Sequence, residues 1–230
     1  LEKNTAAVIL EPLIQGAGGM SVCRPEFLRN LESTVRQSDA LLIVDEVLTG
    51  FGRSGSLFAF QKAKITPDLI ALSKGLTGGF LPMGATMASE KIFQGFIGQD
   101  PQRTFWHGHS FTANPLGCAA ANASLDLLEK TPEKYTAFEN RHLPHLKKLG
   151  KHQKVKKIRL IGTIAAFELA TNQKDGYLNS SGKIFKKYVE EKGVYIRPLG
   201  NVVYLLPPLC ITDAQLEQCY EAIEYGLEKI

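Results

Sequence analysis

The sequence predicts an α/β fold: a partial large domain with a mostly parallel sheet over residues 1–149, then a small α+β unit over residues 150–230. Three observations predict it. Leu41-Leu42-Ile43-Val44 and Leu69-Ile70-Ala71-Leu72 are short, wholly apolar and bounded by turn signals, which is how buried parallel strands read. Each run leads to an ionisable residue followed by glycines: Asp45 before Gly50, Gly52 and Gly55, and Lys74 before Gly75, Gly78 and Gly79. Beyond Gly150 the pattern changes to short paired strands with helices of their own.

In chain order, Ala6 to Leu10 reads as a strand running into Glu11-Pro12, and Gly16, Gly18 and Gly19 as a flexible loop. Pro25 to Gln37 has helical spacing, with Phe27, Leu28, Leu31 and Val35 on one side and proline in the first turn. The strand ending at Asp45, a glycine-punctuated loop to Gly55, and the strand leading to Lys74 follow. Residues 84–88 read as another strand, and Ser89-Glu90 starts a short helix. Pro115 to Leu128 is an alanine-rich helix, and Pro132 to Leu149 a second helix. In the last part, 155–160 with 163–169, and 195–198 with 202–206, read as strand pairs. Lys183 to Lys192 is a helix, and Thr212-Asp213-Ala214-Gln215 is a capping box that opens the final helix.

Composition narrows the function classes. The 230 residues are 44% hydrophobic and 22% charged, ordinary values for a globular protein. A net charge of +4 is mild, and the Lys147-Lys148 and Lys154 to Lys157 cluster reads as a solvated face, so no nucleic-acid partner is expected. No run approaches the ~20 apolar residues of a membrane span. Cys23, Cys118, Cys210 and Cys219 form no CxxC pair and read as reduced thiols of a cytoplasmic protein. His107 and His109 have no acid or cysteine close in sequence, so no metal site is expected there. The opening Leu1-Glu2-Lys3-Asn4 has neither the basic start nor the apolar core of a signal peptide and reads as the middle of a longer chain.

An acid and a lysine at the carboxyl ends of strands in one sheet face one crevice, the usual ligand position in open α/β sheets. Asp45 and Lys74 together suit pyridoxal 5'-phosphate (PLP): the lysine amine condenses with the cofactor's aldehyde and the carboxylate keeps the pyridine nitrogen protonated. The other reading of the pair is a buried salt bridge. A nucleotide-binding ATPase, suggested by an apolar strand ending in Asp45-Glu46, would need a G-x-x-x-x-G-K-[ST] loop, and the chain has none.

Glu11-Pro12, the run Asp45-Glu46-Val47 through Thr49-Gly50-Phe51-Gly52-Arg53-Ser54-Gly55, Pro67-Asp68 and Ser73-Lys74-Gly75 together resemble the class III aminotransferases. The interval of 29 residues between Asp45 and Lys74 (74 − 45) also looks like that family's. The resemblance covers essentially the whole chain but only the second half or so of the family's length. The family's N-terminal segment, its first sheet strands, the aromatic that stacks on PLP and a phosphate-binding Gly-Ser loop are the parts it leaves out. It implies the PLP-dependent transferase fold type I and a homodimer with shared active sites.

Carried over residue by residue, the resemblance makes Lys74 the PLP-bonding and proton-carrying amine, Asp45 the partner of the pyridine nitrogen, and Val47 a packing surface for the ring. His109 and Ser110 match phosphate-binding positions contributed to the neighbouring subunit. The family usually has Pro-Thr there, so Ser110 keeps the hydroxyl while His109 removes a backbone constraint. Gly108 matches a substrate contact, Arg197 the arginine that grips the substrate carboxylate, and Arg53 a residue tuning donor specificity; Glu11 orders the cleft. The segment 107–116, the alanine-rich helix, Gly193 to Gly200 and Tyr204 to Pro208 look like the family members that convert 8-amino-7-oxononanoate to 7,8-diaminononanoate in biotin biosynthesis, with S-adenosylmethionine, or lysine as in some relatives, as amino donor; the alternatives are another class III aminotransferase or aminomutase, or a truncated non-catalytic fragment of the fold. Ala17 stands where many 2-oxoglutarate-using relatives carry an acid, which favours the same group.

Overall fold

A computed structural model describes Glu2 and residues 4–230. The strands are β1 (Ala7–Leu10), β2 (Ile14–Gln15), β3 (Ser21–Val22), β4 (Leu41–Asp45), β5 (Leu69–Leu72), β6 (Ala85–Ala88), β7 (Val155–Ile161), β8 (Ile164–Leu169) and β9 (Val202–Leu205). The helices are α1 (Pro25–Arg36), α2 (Ala59–Ala63), α3 (Glu90–Gln94), α4 (Pro115–Lys130), α5 (Glu133–Thr136), α6 (Phe138–Leu149), α7 (Ser181–Glu191) and α8 (Asp213–Lys229). They assemble into two compact units. The first comprises the segment ending at Leu13, Cys23–Phe51 and Leu57–Thr131; the second comprises Ile14–Val22, Gly52–Ser56 and Pro132–Ile230.

The first unit carries a four-stranded sheet in the order β1-β4-β5-β6. β1, β4 and β5 run parallel and β6 closes the edge antiparallel. The registers Leu10↔Val44 and Asp45↔Ala71 bring the carboxyl ends of β1, β4 and β5 to one edge. α1 begins on Pro25 and buries Leu28 and Val35, while Phe27, expected on the same side, is exposed. Asp68 ties this unit together: its Oδ2 accepts from the Leu42 N–H and from Arg36 Nη1, both at 2.7 Å. Burial alone would raise the Asp68 carboxyl, but the Leu42 N–H and the Arg36 guanidinium outweigh it and hold it below its usual range. The sheet is less enclosed than its all-apolar strands suggest. Leu42 and Val44 are fully buried, but Leu41 and Ile43 are half-buried and Ile9 is exposed.

The second unit is an antiparallel sheet, β7-β8-β9, packed with α6, α7 and α8. β8 is buried along its whole length. Phe185 of α7 lies against Gly226 of α8 so closely that a Cβ there would meet the ring at 2.7 Å, and only glycine allows this approach. The expected boundary near Gly150 falls inside this unit. Phe138, Leu146 and Leu149 of α6 belong to its core, because their apolar stripe packs with β8 and α8. The helix expected over 132–149 is interrupted at Ala137, whose ψ of 0° turns the chain and lets both Tyr135 and Phe138 be buried.

Two loop readings change. The Gly16–Gly19 stretch is the turn of a small hairpin, with Ile14 paired to Val22. Residues 195–198 form no strand: Pro198 has no N–H to give a ladder, and only Leu199 and Val202 pair, across a tight turn at Gly200. The capping box at Thr212 is present. Its Oγ1 accepts from the Gln215 N–H at 3.2 Å, and Gln215 Oε1 accepts from the Thr212 N–H at 2.9 Å. Thr212→Ala is expected to lower stability by about 1 kcal/mol, read as a shift in the urea unfolding midpoint. Among the described residues, no helix is long and apolar enough to cross a membrane.

Candidate active site

β4 ends on Asp45, and β5 leads through Ser73 to Lys74. Because Asp45 pairs with Ala71, three residues before Lys74, the acid and the lysine sit at the same carboxyl edge of adjacent parallel strands. Glu11 directly follows Leu10 of β1 at that edge. Asp45 Oδ1 accepts from the Val47 N–H at 3.0 Å, so the half-buried carboxylate is oriented by its own following turn. Lys74 opens a 3₁₀ turn, Lys74–Thr77, and its side chain is exposed. Its φ is +45°, the left-handed region that residues with a Cβ seldom occupy. Such backbone strain concentrates at functional sites.

Directly behind Asp45, Glu46 is fully buried. Its Oε2 accepts from Thr49 Oγ1 at 2.5 Å and from the Ala59 N–H at 3.1 Å, and its Oε1 from the Phe60 N–H at 2.8 Å. One carboxylate thus anchors the turn after β4 and the start of α2. Burial raises its pKa, opposed by the bonds from Thr49, Phe60 and Ala59. A raised carboxyl favours the folded state at low pH, and that contribution is lost as pH rises through the shifted value. Sequence reading quoted Glu46 only as part of a motif and gave it no role. The signal was an acid with a hydroxyl three residues on, in a loop that has donors to satisfy. Glu46→Ala removes the acceptor of three donors, two buried and one half-buried, and is expected to cost about 3 kcal/mol in urea unfolding.

Gly108, His109 and Ser110 also belong to the first unit, in an exposed segment before α4. Their hydrogen bonds are local: Thr112 Oγ1 accepts from the His109 N–H at 3.0 Å, and His109 Nδ1 from the Phe111 N–H at 3.2 Å. Arg53 and Arg197 belong to the second unit. Arg53 donates through Nη1 to the Pro207 carbonyl, and its own carbonyl accepts from the Thr163 N–H at 2.9 Å. Arg197 is exposed beside the buried Ile196. The structure therefore brings Asp45, Val47, Lys74 and Glu11 together by strand register, and holds Arg53 and Arg197 in a separate unit.

Residues 1–227 match the family model described as aminotransferase class-III. An adenosylmethionine-8-amino-7-oxononanoate aminotransferase from Synechococcus elongatus is 52% identical over 227 residues, covering 99% of this chain and 53% of its own length. The crystal structure of the enzyme of that name from Methanocaldococcus jannaschii superposes with a TM-score of 0.86 at 34% identity, covering 95% of this chain and 53% of that one. A PLP-bound amine transaminase from an uncultivated Pseudomonas species matches with a TM-score of 0.88 at 30% identity, covering 97% of this chain and 52% of that one. The chain spans about half the length of the curated relatives it matches. With the family model matched over nearly all of its length, the chain belongs to the class III aminotransferases.

Proposed function

We propose that this chain carries the lysine and aspartate of a PLP-dependent transaminase that converts 8-amino-7-oxononanoate to 7,8-diaminononanoate in biotin biosynthesis, with S-adenosylmethionine as amino donor. The observation that carries the reading is the convergence of Asp45 and Lys74 at one sheet edge through the Asp45↔Ala71 register. The 52% identical relative of that printed name supports the substrate assignment. The residues present fit PLP: an acceptor-only carboxylate held in orientation by Val47 N–H, and an exposed amine on a strained turn flanked by glycine.

When bound, PLP supplies an aldehyde that takes up an amine and a pyridine ring that accepts the electrons of the bond broken at the amine-bearing carbon. Lys74 Nζ would hold the cofactor through that aldehyde and, as the free amine, would take the proton from the donor's carbon and give one to the acceptor's carbon. The Asp45 carboxylate holds a proton on the pyridine nitrogen by a charge-assisted hydrogen bond. Val47 gives the ring an apolar surface. His109 and Ser110 lie at the phosphate of a neighbouring copy, to which Ser110 offers a backbone N–H and a hydroxyl, and Gly108 leaves room for substrate. Arg197 pairs with the substrate carboxylate, fixing a long flexible chain by one end. Arg53 is a substrate-side residue that the Pro207 carbonyl orients.

We assign the protein to the cytoplasm as a homodimer with shared sites. Phe105, Trp106 and Phe111 flank His109 and are 65%, 84% and 75% exposed, the kind of apolar patch that a partner surface covers. The test is the visible spectrum of the protein with PLP before and after donor. Addition of S-adenosylmethionine should bleach the lysine-bound cofactor band. If lysine bleaches the band and S-adenosylmethionine does not, the donor assignment is wrong. If borohydride traps no PLP on Lys74, the cofactor reading is wrong.

A further inference from the structure

The turn that carries Lys74 is held from several sides, and two of its clamps come from elements without a part in the chemistry above. The Ser73 hydroxyl donates to the Met83 carbonyl at 2.8 Å, which fixes the residue before Lys74. The Gly75 carbonyl, just after it, accepts from Ser124 Oγ of α4 and from the Gly78 N–H, both at 3.0 Å. Phe51 presses on Gly75 so closely that an added Cβ would lie 2.7 Å from the Phe51 Cβ and 2.8 Å from its ring. Phe51 is itself buried and seated edge-to-face on Phe58 at 5.4 Å. Within this frame Lys74 keeps φ +45° and an exposed side chain.

A left-handed lysine relaxes to an ordinary backbone unless its neighbours over-determine it. Gly75, the residue after Lys74, has little freedom, because its carbonyl accepts two hydrogen bonds and its α-carbon lies under the Phe51 ring. We infer that Ser124 and Phe51 are positioning residues for the Lys74 amine. Ser124 pins the Gly75 carbonyl, Phe51 blocks the turn from swinging back, and together they hold Lys74 in the left-handed conformation that sets the direction of its side chain. The inference rests on the reading of Lys74 as the PLP-bonding amine, but the clamp can be measured without PLP.

The experiment compares the wild-type chain with Ser124→Ala, Ser124→Thr and Phe51→Leu by NMR. The one-bond Cα–Hα coupling of Lys74 reports the sign of its φ, and amide exchange of Gly78 and Gly79 reports the bonds that close the turn. Ser124→Ala should shift the Lys74 coupling away from the left-handed value and speed Gly78 and Gly79 exchange roughly fivefold, the effect of one lost hydrogen bond, with β5 amides unchanged. Ser124→Thr keeps the hydroxyl and should restore both. Phe51→Leu should move the Lys74 coupling through a different contact, so the inference stays testable if Ser124→Ala does not fold. The same variants are then treated with PLP and borohydride, where trapping at Lys74 should slow in Ser124→Ala and recover in Ser124→Thr. Unchanged coupling and exchange in Ser124→Ala and Phe51→Leu overturn the clamp. Normal wild-type coupling with no trapping at Lys74 leaves the clamp standing and overturns the cofactor reading instead.

Discussion

Lys74→Ala is expected to abolish PLP trapping by borohydride and to lower transamination roughly a thousandfold, the scale of proton transfer by a positioned side chain. Two functions disappear with one amine: the bond to the aldehyde and the base that moves the proton. Because the Lys74 side chain is exposed, its removal leaves no core cavity, and the urea midpoint should stay near that of wild type. Lys62→Ala, at an exposed position of α2, serves as the control and should leave trapping unchanged. Asp45→Asn is the sharper companion. Asparagine Oδ1 can still accept from the Val47 N–H, so the turn after β4 is retained while the charge is lost. Rate should fall roughly a hundredfold through loss of electrostatic stabilisation, with the Lys74 adduct still trapped. If Asp45→Asn retained full rate, the carboxylate would have only its structural bond to Val47.

The parallel strands were legible because they are short apolar runs bounded by turn signals. β4 and β5 are apolar runs that lead into Asp45 and towards Lys74, and the register shows that they are neighbours. The division of the chain was less legible. α6 has an apolar stripe, but a stripe does not state which sheet it will meet, and Phe138, Leu146 and Leu149 meet the second one. Residues 195–198 looked like a strand by residue type, yet pairing requires a partner N–H that Pro198 cannot supply. At the site, motif residues were visible while their supports were not. Ser124 sits in an alanine-rich helix that reads as plain packing, and only the fold shows that its hydroxyl reaches the Gly75 carbonyl. The left-handed backbone at Lys74 has no signature in a residue type that normally avoids it.

Lowering the pH from about 7.5 to about 4.5 is expected to remove about 2 to 3 kcal/mol of stability through His142, at roughly 1.4 kcal/mol per unit of pKa shift. His142 is fully buried in the second unit. Its Nε2 lies 3.2 Å from the Thr163 carbonyl, which can only accept, so that nitrogen carries the hydrogen. Nδ1, 2.6 Å from the Tyr220 hydroxyl, then accepts from it. The ring is neutral, and its pKa is lowered from 6.5 to about 4, first by burial. His145, stacked on Tyr220, and Arg141 push in the same direction, while the Thr163 bond and Glu139 oppose it. The unfolded chain therefore takes up a proton near pH 6.5 that the folded chain refuses until about 4, so stability is lost as pH falls through that window. Asp68 contributes in the same direction but only at lower pH, because its folded value lies below its ordinary 3.8. Glu46 contributes with the opposite sign. Urea unfolding free energies measured across this range should slope upward with pH, and His142→Gln should flatten the slope between 4 and 6.5 while leaving the acid limb of Asp68 in place. A slope unchanged in His142→Gln would mean that another group titrates there and that the imidazole is hydrated in solution.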